Sequence, residues 1–232
     1  MKTTQKLALQ AFNDWWTRTG EWVEEPNQRR GGESGVQLLI PENTDQPRLY
    51  SKRQINHTYS SLRYPFGHPT ALREKNALLA LQRLGVKAPK LVFYETVKKG
   101  QDWYALLVTE ELKDFISLEE WYDQQSSQPA GSTLINAVLK EIANSLYKMH
   151  LGGWQHGCCY AKHVFIKAHP NWAIEVALLD LEKARRRWPA SKAAVNDIKQ
   201  LGRHRGAMPD ADWQLFLQHY CELNPKLRSK LM

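Results

Sequence analysis

The run His156-Gly-Cys-Cys-Tyr-Ala-Lys-His163, followed by Asp180 at the end of the apolar stretch Val176-Ala-Leu-Leu179, sets imidazole, thiol and carboxylate groups at spacings that suit metal-assisted phosphoryl transfer. That chemistry asks for positioning and charge stabilisation more than for covalent work by the protein. A carboxylate at the mouth of a buried strand is costly unless something uses it. Mg2+ favours hard oxygen ligands held together with substrate phosphates. The plainer role for Asp180 is to cap a turn. Upstream, Lys52 lies inside the strand-like segment Leu49-Tyr-Ser-Lys-Arg53, and Glu74 follows 22 residues later in the first turns of a helix. That separation lets the helix pack on the strand and pair the two charges, with the lysine serving nucleotide phosphates. Two solvated surface charges are the alternative.

The loop follows the catalytic-loop pattern of kinases: His-x-Asp, four residues, Asn, and then a metal-binding Asp at the end of a later strand. His156 stands in place, His163 takes the Asn position and Asp180 the metal position. Cys158 occupies the position of the catalytic Asp. A thiol does not replace a carboxylate that orients and deprotonates a hydroxyl, and losing a general base costs about 10²–10⁴-fold. Small hydrophobic packing is the commonest role of such a cysteine. His156 suits bracing the loop better than acting as base. Imidazole is a poor Mg2+ ligand, so His163 suits orienting Asp180 better than ligating, and a purely structural role is open for both histidines. A zinc reading would gather His150, His156, Cys158, Cys159 and His163, but their spacing matches no common four-ligand pattern. The basic segment Lys183-Ala-Arg-Arg-Arg187, with Lys192, Lys199, Arg203 and Arg205, suits phosphates or a membrane surface as well as it suits a solvated face.

These residues need elements to hold them. Residues 5–19 pair apolar positions every four residues and predict a helix ending near Gly20. Arg29-Arg-Gly-Gly-Glu-Ser-Gly35 reads as a basic, Gly-rich turn, a weak match to a nucleotide-covering loop and equally a plain hairpin turn. Val36–Ile40 and Arg48–Gln54 read as strands around the turn-rich segment 41–47. His68-Pro69 opens a helix that carries Ala77, Leu78, Leu81 and Leu84 and stops at Gly85. Lys90–Val97 and Trp103–Leu112 form a hairpin. Ser117-Leu-Glu-Glu120 is a capping box, so a short helix runs to about Gln125. After the polar linker 126–132 come a long helix, Leu134–Leu151, and two strands, Val164–Lys167 and Ile174–Leu179. Helices near Lys192–His204 and Pro209–Leu223 complete the chain. The order predicts an α+β, compact two-lobed protein-kinase-like fold, with a small, mostly antiparallel N-lobe over 1–111 and a helical C-lobe over 112–232.

Composition agrees with a globular chain: 42% hydrophobic and 24% charged residues. A net charge of +8 favours an anionic partner, whether nucleotide, nucleic acid, anionic lipid or phosphorylated sugar, without choosing among them. The three cysteines, two of them adjacent, form no disulfide framework and suit a reducing cytoplasm. Neither a signal peptide nor a transmembrane segment is visible, which leaves peripheral membrane contact open.

At Leu49-Tyr-Ser-Lys-Arg-Gln54, Arg73-Glu74, Leu107-Val-Thr-Glu110, Trp154–Cys158 through Lys162–Phe165 and Leu178-Leu-Asp-Leu-Glu-Lys183, the chain resembles the lipopolysaccharide kinase family, and within it most nearly the InaA-type branch. The resemblance covers roughly residues 28–205. It implies ATP and Mg2+ as cofactors and a lipopolysaccharide-core heptose or related glycolipid as acceptor. It also implies that Lys52, Glu74, Glu110, His163 and Asp180 serve the nucleotide and its metal, with His156 and Cys158 at the catalytic positions. It further implies a cytoplasmic protein, peripheral to the inner membrane at most, with a role in stress and without a nucleic-acid partner. Only 52 residues follow Asp180, and no Ala-Pro-Glu segment is recognisable among them. A peptide-substrate platform is therefore not expected. The second reading is a pseudokinase that binds nucleotide or a partner without turnover.

Overall fold

The computed structural model describes residues 2–29, 31–41, 43, 45–125 and 131–232. They divide into two units, residues 1–76 with 89–111 and residues 77–88 with 112–232.

In the first unit, helix α1 (Lys2–Trp16) is followed by strands β1 (Glu21–Arg29), β2 (Gly32–Leu39), β3 (Leu49–Ile55), β4 (Thr58–Ser61) and β5 (Tyr64–Pro69). Helix α2 (Ala71–Arg83) comes next, its residues up to Asn76 in this unit and the rest in the second, then β6 (Leu91–Lys99) and β7 (Asp102–Glu110). Five strands form an antiparallel sheet in the order β1-β2-β3-β7-β6, with β3 at its centre. One face receives α1: Phe12 is buried with Leu106 and Val108, and Trp15, Trp16 and Tyr104 close around them. Alternation along β7 sends Ala105 and Leu107 to the other face, and both are buried too.

Four sequence expectations need correction here. Helix α1 stops at Trp16, not near Gly20. Gly20 instead lies just before β1, where a Cβ would fall 2.1 Å from the Leu38 carbonyl oxygen. Strand β1 was not expected because Pro26 and three glutamates obscure its pattern; it is an edge strand whose irregular register accommodates them. Of the Gly-rich turn only the tip remains, with Gly31 at φ +74°, while residues 32–35 are strand; Arg30 lies outside the described residues. His68 and Pro69 belong to β5, paired with Tyr59 and Thr58, so α2 begins two residues after Pro69.

In the second unit, strand β8 (Ile116–Ser117) leads into helix α3 (Leu118–Gln125). The capping box forms: Glu120 N–H donates to Ser117 Oγ at 3.1 Å, and Ser117 N–H to Glu120 Oε2 at 2.9 Å. Most of the 126–132 linker lies outside the described residues. Helix α4 (Ser132–Leu151) buries Val138, Ile142, Leu146 and Met149 at helical spacing. There follow β9 (Trp154–Gln155), β10 (Val164–Ala168), β11 (Ile174–Leu178), β12 (Arg185–Arg186), α5 (Ala190–Arg203) and α6 (Asp210–Leu223). Strands β11, β10 and β8 form one small antiparallel sheet, and β12 pairs with β9.

Candidate active-site residues

Lys52 sits mid-sheet on β3, opposite Val36 of β2 and Leu107 of β7. Two residues on and facing the same side, buried Gln54 accepts hydrogen bonds from the Thr70 hydroxyl at 3.1 Å and the Ala71 N–H at 3.0 Å. Gln54 thus fixes the first turn of α2 against β3. One turn later the helix presents Glu74, whose Oε2 lies 2.7 Å from Lys52 Nζ. Both side chains are largely buried, which strengthens their attraction over that of a surface pair. Sequence reasoning found the pair but missed Gln54. The signal was a polar residue placed i+2 from Lys52 on the same strand face. Glu110, the last residue of β7, pairs with Lys90 Nζ at 2.7 Å.

The second unit holds the loop residues. His156 is fully buried, and its Nδ1 accepts the Cys158 N–H at 3.3 Å. This is the expected bracing. Beneath it lies Asp197 of α5, which is fully buried. One of its oxygens accepts the His156 N–H at 2.6 Å and faces His150 Nε2 at 3.1 Å; the other accepts the Gly157 N–H at 3.0 Å. Gln200, one turn on, accepts the Cys159 N–H at 2.9 Å. Together the two α5 side chains clamp the loop backbone. Asp197 was missed by sequence reasoning, although the signal was present: it is a lone acid on the face carrying Ala193, Ala194, Ile198 and Leu201. His150 completes the buried network through Nδ1 and the Tyr220 hydroxyl, 2.7 Å apart.

Asp180 and His163 come together. Pairing of β10 with β11, extended by the Leu179 N–H donating to the His163 carbonyl at 2.9 Å, sets Asp180 just beyond His163. Asp180 adopts the left-handed conformation (φ 56°, ψ 62°), which a short polar side chain tolerates and which clusters at functional positions. Its Oδ2 lies 3.6 Å from His163 Nε2. His163 Nδ1 is 2.8 Å from the Cys158 carbonyl and must donate to it, so in the neutral ring Nε2 presents its lone pair towards Asp180.

This donor set fits Mg2+ through Asp180. Its carboxylate is partly exposed, with no side-chain capping bond. Among the described residues no three His, Cys, Asp or Glu side chains gather into a metal cage. Mg2+ does not require one, because it binds through one or two carboxylates together with substrate phosphates. His163, tethered through Nδ1, could donate to the carboxylate only as the imidazolium; in the neutral ring its Nε2 lone pair faces the same site as Asp180.

Cys158 is buried, and its thiol pKa is pushed up by burial and by the nearby Asp180 charge, against the opposing charge of Lys183. Cys159 is raised further by its complete burial. Both remain neutral thiols at physiological pH, and neither is primed as a nucleophile. In the basic segment, Arg185 and Arg186 are exposed on β12, Trp188 is exposed beside them, and Arg187 Nε donates to Gln155 at 2.9 Å.

The profile of the Lipopolysaccharide kinase (Kdo/WaaP) family matches residues 13–220. The chain is 44% identical over 209 residues to Protein InaA of Escherichia coli (strain K12), covering 90% of this chain and 94% of that protein. It is 26% identical over 146 residues to the Lipopolysaccharide core heptose(I) kinase WaaP of Escherichia coli, covering 59% of this chain and 54% of the kinase. Among solved structures, WaaP in complex with acyl carrier protein superposes with a TM-score of 0.70 at 21% identity, over 95% of this chain and 86% of that one. The fold is therefore kinase-like, as the element order predicts. No described helix is long and apolar enough to cross a membrane.

Proposed function

The chain belongs to the lipopolysaccharide kinase (Kdo/WaaP) family, and on that premise we propose that it is an ATP-dependent phosphotransferase acting on a lipopolysaccharide-core sugar such as a heptose, or on a related glycolipid. The observation that carries the reading is the Lys52–Glu74 ion pair at 2.7 Å, a lysine held ready for nucleotide phosphates. Lys52 would bind those phosphates, with Glu74 fixing its ammonium and Glu110 at the edge of the nucleotide. Asp180 would hold Mg2+, with the Nε2 lone pair of His163 as a weaker second ligand. Bound Mg-ATP supplies the phosphoryl group and the cationic charge that stabilises its transfer. Exposed Arg185, Arg186 and Trp188 suit an anionic sugar acceptor. The site would work in the cytoplasm, against the inner membrane surface where such an acceptor is anchored.

One observation favours a second reading, nucleotide binding without turnover in a stress role. Cys158, at the position of the base, is a buried thiol whose pKa burial raises, and it cannot orient or deprotonate an acceptor hydroxyl as a carboxylate does. Both readings need Lys52. Lys52→Met is expected to weaken ATP binding at least about tenfold by isothermal calorimetry, through loss of a charge-assisted phosphate contact. Adding Glu74→Gln controls for the broken ion pair. Unchanged affinity in both variants would remove Lys52 from the nucleotide site.

A further inference from the structure

We propose that the β4–β5 hairpin is a membrane-docking element that sinks Leu62 and Phe66 into the interface of an anionic phospholipid bilayer. Strands β4 and β5 pair only with each other, outside the five-stranded sheet. Their tip carries Leu62 and Phe66 at 106% and 99% exposure. Leu62 occupies the turn, where polar residues or glycine are usual, and Phe66 stands two residues into β5; folding gives no reason for either side chain to lie in water. The base, by contrast, is fixed. Buried His57 lies 2.8 Å from the Thr70 hydroxyl, and the His68 ring packs on Trp103 with centroids 5.2 Å apart. The hairpin therefore presents its apolar tip from an anchored stem.

Below the tip lies a layer suited to lipid headgroups. Tyr59 and Tyr64 meet edge to face at 6.1 Å, the Arg73 guanidinium sits 3.6 Å over the Tyr59 ring, and Arg63 sits 5.7 Å over the Tyr64 ring. Tyrosine and arginine, each with an apolar body and a polar end, suit the membrane–water interface. The charge has one sign. From Thr58 to Arg73 the sequence contains Arg63 and Arg73 and no Asp or Glu, within a chain of net charge +8. Exposed apolar residues, an aromatic layer and a hairpin with arginines and no acid of its own together match an anionic bilayer. The inference stands apart from the catalytic reading, because a nucleotide-binding protein without turnover would dock in the same way. If transfer does occur, docking holds the enzyme where a glycolipid acceptor resides.

Sedimentation of the full chain with vesicles tests this directly. Phosphatidylcholine vesicles containing about 30 mol % phosphatidylglycerol should bind the protein at least about tenfold better than phosphatidylcholine alone. Leu62→Ser/Phe66→Ser should lower that partitioning about tenfold or more, and Arg63→Glu should lower it on anionic vesicles. Both apolar side chains are fully exposed, so thermal unfolding should not change. The three native cysteines are buried, so an environment-sensitive dye on Phe66→Cys should label selectively and shift to the blue on vesicle addition. The inference is overturned if anionic vesicles fail to bind the protein, or if the Leu62/Phe66 variant binds as wild type. It is also overturned if only Arg185→Glu/Arg186→Glu abolishes binding, or if the tip proves to hold a lipid-independent dimer that Leu62→Ser/Phe66→Ser dissolves.

Discussion

Cys158→Asp should raise phosphotransfer to a core-sugar acceptor by about 10²–10⁴-fold, the usual contribution of a positioned general base. The backbone at 158 is already set. Its N–H donates to His156 Nδ1, its carbonyl receives His163 Nδ1–H, and the preceding amides of His156 and Gly157 are held by Asp197. The positive charge of nearby Lys183 acts on the thiol, so an introduced carboxylate would meet a cation that favours its ionised form, against burial and the Asp180 charge. Aspartate is close to cysteine in size, so little repacking is required. Transfer is read from radiolabelled ATP onto isolated core oligosaccharide, with binding measured in parallel. A folded, ATP-binding Cys158→Asp variant that transfers no faster than the parent would turn the account towards nucleotide binding without turnover.

Asp197→Ala should produce the largest loss of stability of any single substitution in the loop support. It leaves the His156 and Gly157 amides and His150 facing a void where a carboxylate accepted all three. Removing one member of a buried charged network costs about 3–5 kcal/mol, a large part of the roughly 5–15 kcal/mol that holds a domain folded. Urea midpoints at pH 7.5 measure it; a loss below about 1 kcal/mol would contradict a loop clamped by Asp197. The same network fixes the pH response. Burial lowers the His156 pKa below its ordinary 6.5, only partly opposed by Asp197. Between that depressed value and 6.5 the unfolded chain binds more protons, so stability falls as pH drops below about 6.5. Burial alone would raise the Asp197 pKa, but the His150 hydrogen bond and charge, the His156 charge and the Gly157 amide hold it below 3.8. Its contribution therefore persists above about pH 4 and is lost only as pH falls through the depressed value. His156→Asn should flatten the slope between pH 7 and 5.

The helices and strands with a single clear period were legible in the sequence. The capping box at Ser117–Glu120, the α4 spacing and the β6–β7 hairpin stand close to where their patterns put them. So does the Lys52–Glu74 pairing, because strand and helix order alone brought the two charges together. What escaped was structure set by partners distant in sequence. Strand β1 depends on pairing with β2 to overcome its own composition. The β4–β5 hairpin has no hydrophobic alternation, since its apolar residues point into solvent at the tip. Gln54 and Asp197 are ordinary polar residues until the helix start and the loop amides they satisfy are brought to them. Their roles are hydrogen-bond completions across 17 and about 40 residues, and local periodicity carries no record of such partners.

The most direct test of the central claim, a working Mg-ATP site, is thermal unfolding of the full chain with and without millimolar Mg-ATP, with Asp180→Ala as control. A ligand bound only by the folded state raises stability by mass action, by about 2.7 kcal/mol at a hundred times its Kd. The account predicts a rise in Tm of several degrees that requires Mg2+ and disappears in Asp180→Ala. An unshifted wild-type Tm at saturating nucleotide, or a shift that Asp180→Ala retains in full, would contradict it.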